Sequence, residues 1–292
     1  MKWFFILNPI SGKQPADVNA LSQTILAHFP GAQILLTQGP AHATQLAQQA
    51  AQQGAQAVVA IGGDGTINET ARGLIGTQTA LGVIPRGSGN GLARELGMPL
   101  VFERALKALQ HATATPCDVG QANGELFLNL AGVGIEAAIA WKFMEHGKTG
   151  TRGKWPYFKI GAQTVFSYQP PELEVTVNGQ THRIAPLTLV FANGRQYGSN
   201  FKIAPSASLT DGKLEMVSVQ NAPKWKLALA APSFFTNSWR PFHLIQTQQV
   251  EHVIIKHAGE ILYHIDGEPR KTTDTLDISI SPNALHILIP GK

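Results

Sequence analysis

The sequence predicts two domains of different class: a three-layer α/β domain on a parallel sheet, then a mainly β domain. Three observations predict this. Up to about Pro116, short apolar runs alternate with amphipathic or alanine-rich segments, the pattern of parallel strands covered by helices. Beyond it, short β-type runs are punctuated by Asn178-Gly179, Asp211-Gly212 and Asp266-Gly267, whose Asx-Gly chemistry lets the backbone take positive φ in tight turns. No internal repeat and no low-complexity linker interrupts either texture.

Taken in order, strands are expected at Trp3 to Leu7, Gln33 to Leu36, Ala57 to Ile61 and Ala80 to Ile84, each an apolar run of strand length. Between them the periodicity predicts helices over Ala16 to Phe29, Ala41 to Gln53 and Thr66 to Ile75, with a further pair spanning Gly91 to Gln110. The opening apolar run reads as a buried strand and not as a secretion signal, because it stops at Asn8-Pro9 with no small-residue cleavage site behind it. The first domain is therefore drawn as 1–116 and the second as 117–283. In the second, β segments are expected at Val119, Leu126 to Leu130, Leu173 to Val177, Ile184 to Phe191, Leu214 to Val219, Val253 to Ile255 and Leu276 to Ile280. Helices are expected there at Ile135 to His146, Tyr157 to Tyr168 and Lys224 to Phe235, with Gly147 to Gly153 as a candidate mobile loop. The last strand, Ala284 to Ile289, is open to return to the first domain.

Composition narrows the function classes. The 292 residues are 43% hydrophobic, ample for packed cores, and 23 Lys and Arg against 19 Asp and Glu leave a net charge of +4. That surplus is too small for a dedicated nucleic-acid binder, but it suits an anionic ligand or a membrane surface. The single cysteine, Cys117, excludes an internal disulfide framework and fits a reducing, cytoplasmic location. No apolar stretch reaches the roughly 20 residues needed to span a bilayer, so any membrane contact is expected to be peripheral. The histidines show no metal-ligand spacing, and His252, His257 and His264 are given no role.

The strongest chemical signal follows the third strand. Ala57 to Ile61 delivers the chain into Gly62-Gly63-Asp64-Gly65-Thr66, after which Ile67-Asn68-Glu69-Thr70 begins a helix. Glycines let backbone N–H groups approach phosphate oxygens, and the helix adds its positive N-terminal end. Asp64 can orient a hydrated magnesium ion, and Thr66 can cap the helix or bond a phosphate. Two other loops fall at corresponding strand ends: Asn8-Pro9-Ile10-Ser11-Gly12-Lys13 and Pro85-Arg86-Gly87-Ser88-Gly89-Asn90-Gly91. In a parallel sheet such loops gather on one rim, where ligands bind. Asn8, Ser11, Ser88 and Asn90 would supply hydrogen bonds there, and Lys13 and Arg86 would offset phosphate charge. Each loop taken singly is equally well a plain turn, and none is a Walker sequence.

These motifs together resemble the diacylglycerol kinase catalytic-domain superfamily of lipid kinases, to which the sphingosine and ceramide kinases are related. The resemblance rests on Asn8-Pro9-x-Ser11-Gly12, the run from Gly62 to Glu69, Pro85-x-Gly87-Ser88-x-Asn90-x-x-Ala93-Arg94, Cys117-Asp118-Val119-Gly120 and Asp266-Gly267-Glu268. The central motif alone also looks like 6-phosphofructokinases and NAD kinases. The resemblance implies a C-terminal β-sandwich as the second domain, and a cleft between the domains in which ATP is bound by Asn8, Pro9, Ile10, Ser11, Gly12, Thr37, Gly62, Gly63, Asp64, Gly65, Thr66, Ile67, Asn68 and Ser88. It also implies magnesium, with Asp64 and Asp118 as candidates for a water-mediated network, and a general base in the late acidic segment, Glu268 first and Asp266 as the alternative. A turn at Ser208 to Lys213 resembles a structural divalent-ion site held by the Ser208 and Lys213 carbonyls and the Asp211 side chain; an ordinary Asp-Gly hairpin explains it equally well.

The expected reaction is transfer of the ATP γ-phosphoryl to a lipid hydroxyl, diacylglycerol-like or, as runner-up, sphingoid. Gly91 stands where many bacterial members have Asp, and Ser88-Gly89-Asn90 looks closer to the sphingosine and ceramide kinase form, which bears on the acceptor lipid. The rivals are a soluble-substrate kinase of the NAD kinase type and a nucleotide-sensing membrane adaptor without turnover. Lys148, Arg152, Lys154, Trp155, Tyr157, Phe158 and Lys159 mix cations with interfacial aromatics, which suits headgroups at a membrane surface. Pairing of two copies through a sheet edge is open, and nothing in the sequence specifies it.

Overall fold

The structure is a computed structural model, and it describes residues 2–12, 14–149, 161, 164, 167–198, 201–223, 225–227 and 244–291. The chain forms two compact units: Met1–Val119 with Gly198–Asn200 and Pro282–Lys292, and Gly120–Tyr197 with Phe201–Ser281.

The first unit runs β1 (Trp3–Leu7), α1 (Val18–His28), β2 (Gln33–Leu36), α2 (His42–Gln52), β3 (Ala57–Gly62), α3 (Asp64–Leu74), β4 (Ala80–Pro85), α4 (Gly91–Glu95), α5 (Phe102–Gln110) and the start of β5 (Thr113–Ala122). β1, β3 and β4 are apolar almost throughout because neighbours cover both of their faces; Phe4, Ile6, Val58, Ile61, Leu81 and Ile84 are all fully buried. The pairings β1 with β2, β1 with β3, and β3 with β4 are all parallel, giving the order β2-β1-β3-β4. The chain therefore steps outward from β1 to β2 and then crosses back past β1 to β3. With right-handed crossovers, that reversal puts α1 on one face and α2 and α3 on the other. The packing agrees: α2 lies against α3, where Gly73 approaches Ala47 and the Thr44 carbonyl too closely for a side chain, and α1 lies against α5.

The second unit continues with β6 (Glu125–Phe127), β7 (Leu130–Gly134), α6 (Ile135–Thr149), β8 (Leu173–Val177), β9 (Gln180–Ile184), β10 (Pro186–Ala192), β11 (Gln196–Gly198), β12 (Phe201–Lys202), β13 (Leu214–Gln220), β14 (Ile245–Val250), β15 (His252–Ile265) and β16 (Glu268–Ile289). Its strands run in the order β14-β13-β10-β7-β15-β16, with the β8–β9 hairpin on β15, and the pairings of β7, β8, β10, β13, β14 and β15 are antiparallel. β10 shows how the strands are used. Leu189 and Phe191 enter one apolar cluster with Phe127, Val253 and Ile278, while Val190 and Ala192 enter another with Leu130 and Val217. Alternating side chains thus bury both faces, and this is the expected β-sandwich-like domain.

Several boundaries differ from the expectation. Leu126 to Leu130 falls in two strands, because β6 ends at Phe127 and β7 begins at Leu130, while the Leu128 and Asn129 N–H groups between them go to the Asp266 carboxylate. Ile184 to Phe191 likewise divides between β9 and β10 at Ala185. β15 extends far past Ile255, beyond a register shift between Lys256 and Glu260. Leu276 to Ile280 and Ala284 to Ile289 are one strand, β16, whose last residues pair in parallel with β4 at Ala80 and Leu81. Most of the expected helix from Tyr157 and most of the one from Lys224 lie outside the described residues.

Candidate active site

Strand order locates the first part of the site. Where the chain reverses direction, between β1 and β3, the two crossover helices leave on opposite faces, and a crevice opens at the carboxyl ends of the strands. Asn8 and Gly62 to Thr66 are the residues at those ends. They are tied across the crevice: the Asn8 N–H donates to the Ile61 carbonyl at 3.0 Å, and Asn8 Nδ2 donates to Thr66 Oγ1 at 3.0 Å. The Asn8 amide oxygen, Oδ1, accepts the Ile10 N–H at 3.2 Å, and Ser11 Oγ donates to the Asn8 main-chain carbonyl at 2.8 Å. One asparagine therefore shapes its own loop and clasps the next.

α3 begins at Asp64 with Gly63 as its N-cap, and no side chain caps it. Its positive end thus faces the crevice without a side-chain acceptor, as an anion site requires. Glycine is demanded here by contact. A Cβ on Gly62 would fall 2.6 Å from the Thr66 Cβ, and one on Gly87 would fall 2.8 Å from the Gly63 Cα. Backbone lies against backbone where the loops after β3 and β4 meet, a cradle that only two glycines leave open.

The loop after β4 is fixed by hydrogen bonds to its own backbone. Asn90, at φ 52, accepts the Gly87 N–H and donates to the Gly87 carbonyl, both at 2.9 Å. Asp64 holds the same loop from the start of α3: Oδ2 accepts the Asn90 N–H at 3.1 Å and Oδ1 the Gly91 N–H at 3.0 Å. Burial pushes the Asp64 carboxyl up, against the opposing pull of those backbone donors. Arg86 Nη2 sits 3.4 Å from the carbonyls of Ser11 and Gln14, so its guanidinium binds the first loop to the third. Ser88 is exposed, Ile10 is 83% exposed, and Thr37 follows β2 with its N–H on the Leu7 carbonyl at 3.0 Å. Lys13 lies outside the described residues. Glu69 faces elsewhere: Oε2 accepts the Ala43 N–H at 3.3 Å, capping α2 from the neighbouring helix, since Ala41 has no side chain able to do so.

Two carboxylates named from sequence have structural partners. Asp118 is 2% exposed and its Oδ1 accepts the Asn283 N–H at 2.9 Å, bracing β5 against β16 within the first unit. Burial also pushes the Cys117 thiol up to about 12, as suits an inert buried cysteine. Asp211 Oδ1 accepts the Lys213 N–H at 3.1 Å in a tight Asx turn, while the Ser208 hydroxyl lies 3.3 Å from the Thr210 hydroxyl.

In the second unit the acidic segment is the hairpin joining β15 to β16. Asp266 and Gly267 take φ 48 and 85, the paired positive values of a type I′ turn. The Asp266 carboxylate is heavily engaged: Oδ2 accepts the Leu128 N–H at 2.8 Å, and Oδ1 accepts those of Asn129 at 2.9 Å and Leu130 at 2.8 Å. Glu268, by contrast, is exposed and meets Arg270 Nη2 at 3.2 Å, while Arg270 Nε holds Glu125 at 3.0 Å. Sequence reading missed Arg270 and Glu125, because their pairing spans distant strands and carries no local motif. It also missed the pair of partly buried Glu136 and buried His264, whose atoms Oε1 and Nε2 lie 3.9 Å apart. Arg152, Lys154, Trp155, Tyr157, Phe158 and Lys159 lie outside the described residues, as does the side chain of Lys148. Among the described residues no helix is long and apolar enough to cross a membrane.

Comparison with known proteins extends these observations. Residues 2–122 match the family described as diacylglycerol kinase catalytic domain, and residues 130–289 match the family described as YegS C-terminal NAD kinase beta sandwich-like domain. A diacylglycerol kinase of Bacillus subtilis is 34% identical over 232 residues, 77% of this chain and 75% of that protein. A probable YegS-like lipid kinase of Citrobacter koseri is 29% identical over 261 residues, covering 85% and 83%. A putative diacylglycerol kinase from Bacillus anthracis shares the fold, with a TM-score of 0.78 at 24% identity over 99% of this chain and 97% of the other.

Proposed function

This chain belongs to the diacylglycerol kinase family, and from that premise we propose that it transfers the γ-phosphoryl group of ATP to the hydroxyl of a diacylglycerol-like lipid, with magnesium. It is a kinase of the lipid-kinase class. The observation that carries the ATP reading is the crevice between β1 and β3, where Asn8 clasps Thr66 and α3 presents an end with no side-chain cap. The residues fit a nucleotide: the approach of Gly63 and Gly87 leaves a backbone-lined cradle, and Arg86 brings positive charge to it.

Bound there, magnesium and ATP would supply the transferable phosphoryl group and the cation that neutralises its developing charge. The N–H groups at the start of α3, the glycine backbone and Asn8 bind and orient the phosphates. Asp64 holds the loop from Gly87 to Gly91 in place with one lone pair of each oxygen. The remaining lone pairs suit a hydrated cation, which magnesium remains when few carboxylates hold it. Asp118, so deeply buried, acts in this reading as a brace.

Glu268 is the proposed general base, accepting the proton of the lipid hydroxyl. What favours it over Asp266 is occupancy. Three backbone N–H groups already converge on Asp266, whereas Glu268 is exposed and, among the described residues, pairs with Arg270. The acceptor is assigned from the name of the Bacillus subtilis relative.

The test is incubation of the protein with labelled ATP, magnesium and a panel of diacylglycerol, sphingoid bases, ceramide and NAD. Label in phosphatidic acid is the expected result, and label in NADP or in no product overturns the reading. Glu268→Ala is expected to lower kcat roughly 100-fold to 10,000-fold while nucleotide affinity, measured by calorimetry, stays within about twofold. Retained turnover in that variant would exclude Glu268 as the base.

A further inference from the structure

Buried His264 and partly buried Glu136 form a polar pair that none of the roles above uses. Gly132 on β7 pairs with His264 on β15 and with Val190 on β10, and α6 starts a few residues later, so the Glu136 side chain folds back over Gly132. A Cβ on Gly132 would lie 2.6 Å from Glu136 Oε1 and 2.8 Å from His264 Nε2. Both of those atoms are buried without a hydrogen-bond partner, and His264 is 1% exposed.

The other ring nitrogen determines where the imidazole proton sits. His264 Nδ1 accepts the N–H of Gly267 at 3.3 Å, so the neutral ring carries its proton on Nε2, on the side of the carboxyl. Burial pushes Glu136 up to about 8 and holds His264 down at about 4, which leaves both groups neutral at pH 7. Tyr168 also faces the carboxyl, its phenol pushed up to about 12 by burial and by Glu136 itself, and so does Thr188 of β10.

The Gly267 N–H belongs to the peptide between the two positive-φ residues of the hairpin turn. Rotation of that peptide changes the type of such a turn. Asp266 anchors the start of the turn through its side chain; His264 is the contact on the rotating peptide, and Glu268 is the next residue along.

We propose that Glu136 and His264 are positioning residues for phosphoryl transfer: the carboxyl, 3.9 Å from Nε2, places an oxygen on the side of the Nε2 proton and keeps the imidazole oriented with Nδ1 toward the Gly267 N–H, and that contact fixes the turn that presents Glu268. The proposal rests on the reading of Glu268 as the base. It differs from a purely structural role in what must be conserved, namely an acceptor at the place of Nδ1, and in what must move, kcat rather than nucleotide binding.

The test compares His264→Asn, whose amide oxygen can take the place of Nδ1, with His264→Leu, which has no acceptor. We expect His264→Leu and Glu136→Ala to lose about 10-fold to 100-fold in kcat with the KM for ATP within about twofold, and His264→Asn to recover most of the loss. Equal impairment of the Asn and Leu variants, or wild-type kcat in both, overturns the proposal. A readout free of turnover separates this from failure of the kinase reading or of a variant to fold. In wild-type protein labelled with ¹⁵N-histidine, His264 is expected in the Nε2–H tautomer, and in Glu136→Gln, which keeps an acceptor oxygen, it stays there. A wild-type Nδ1–H tautomer overturns the proposal whether or not any lipid is phosphorylated.

Discussion

On the rim of the first unit, Asp64 gives one oxygen to the Asn90 N–H and the other to that of Gly91, and Asn90 closes on Gly87 in turn. Over Gly132 in the second unit, Glu136 Oε1 and His264 Nε2 are buried 3.9 Å apart and neither has a partner. Both regions are rich in polar atoms on glycine-thinned backbone, yet one network is saturated and the other is not. In the first, the loops are ordered before any ligand arrives, so binding loses little to ordering. In the second, each buried group without a partner costs about 1–3 kcal/mol, and the arrangement can respond to a change of protonation or to a small displacement. The contrast separates a rigid binding rim from a responsive support beneath a turn.

The saturated side should break most sharply. Gly87→Ala drives a Cβ to 2.8 Å from the Gly63 Cα and 3.0 Å from Asn90 Oδ1. Overpacking of this kind costs about 1–3 kcal/mol, so ATP affinity measured by calorimetry is expected to fall roughly 10-fold to 100-fold. Unchanged affinity would mean that the rim is not preorganised. A smaller effect is expected from Asp266→Asn, which retains one acceptor oxygen but can turn a donor toward the Leu128 N–H. The expected loss is about 1–2 kcal/mol, seen as a fall of a few degrees in Tm; an unaltered Tm would show that the turn does not depend on this clasp.

The unsaturated pair is expected to show itself in pH. Glu136, raised from 4.5 to about 8, keeps in the folded state a proton that the unfolded chain has released, so its contribution is full below pH 4.5 and is lost as pH rises through 8. His264, lowered from 6.5 to about 4, acts in the opposite sense: its contribution is present above 6.5 and lost as pH falls through 4. Between about 4.5 and 6.5 the two oppose each other, and between 6.5 and 8 Glu136 acts alone. Stability should decline there by at most about 1.4 kcal/mol per pH unit, and by less because the Glu136 side chain keeps 21% of its surface exposed. Thermal unfolding of Glu136→Gln should be flatter than wild type across that window; parallel profiles would remove the carboxyl from the account.

How much of this was legible in the sequence follows the same division. The runs forming β1 and β2 were bounded correctly because apolar stretches between loop signals leave little choice, and the rim loops followed from parallel topology. β14, Ile245–Val250, was missed because Gln246, Thr247, Gln248 and Gln249 are exposed on a sheet edge and show no apolar alternation. β15 was truncated at Ile255 because its register shift and Gly259, at φ 147, interrupt the pattern. At the site, Asp64, Asp118 and Asp266 were visible as positions, but their occupancy by backbone donors was not, since the donors come from segments remote in sequence. Glu136 and His264 gave no signal, because what makes them notable is the missing side chain at Gly132.

β16 carries a consequence for biosynthesis. Its first residues belong to the second unit and its last to the first, where His286 and Ile287 pair with Ala80 and Leu81 of β4. While the chain is being made, β4 therefore waits with an open edge until the second unit has been synthesised, and the parallel sheet gains that neighbour only when residues 284–289 leave the ribosome. Pairing across so long a stretch of chain is slow, and an unpaired apolar edge invites association with other chains. Protein stalled or truncated before residue 284 should be recovered in aggregates.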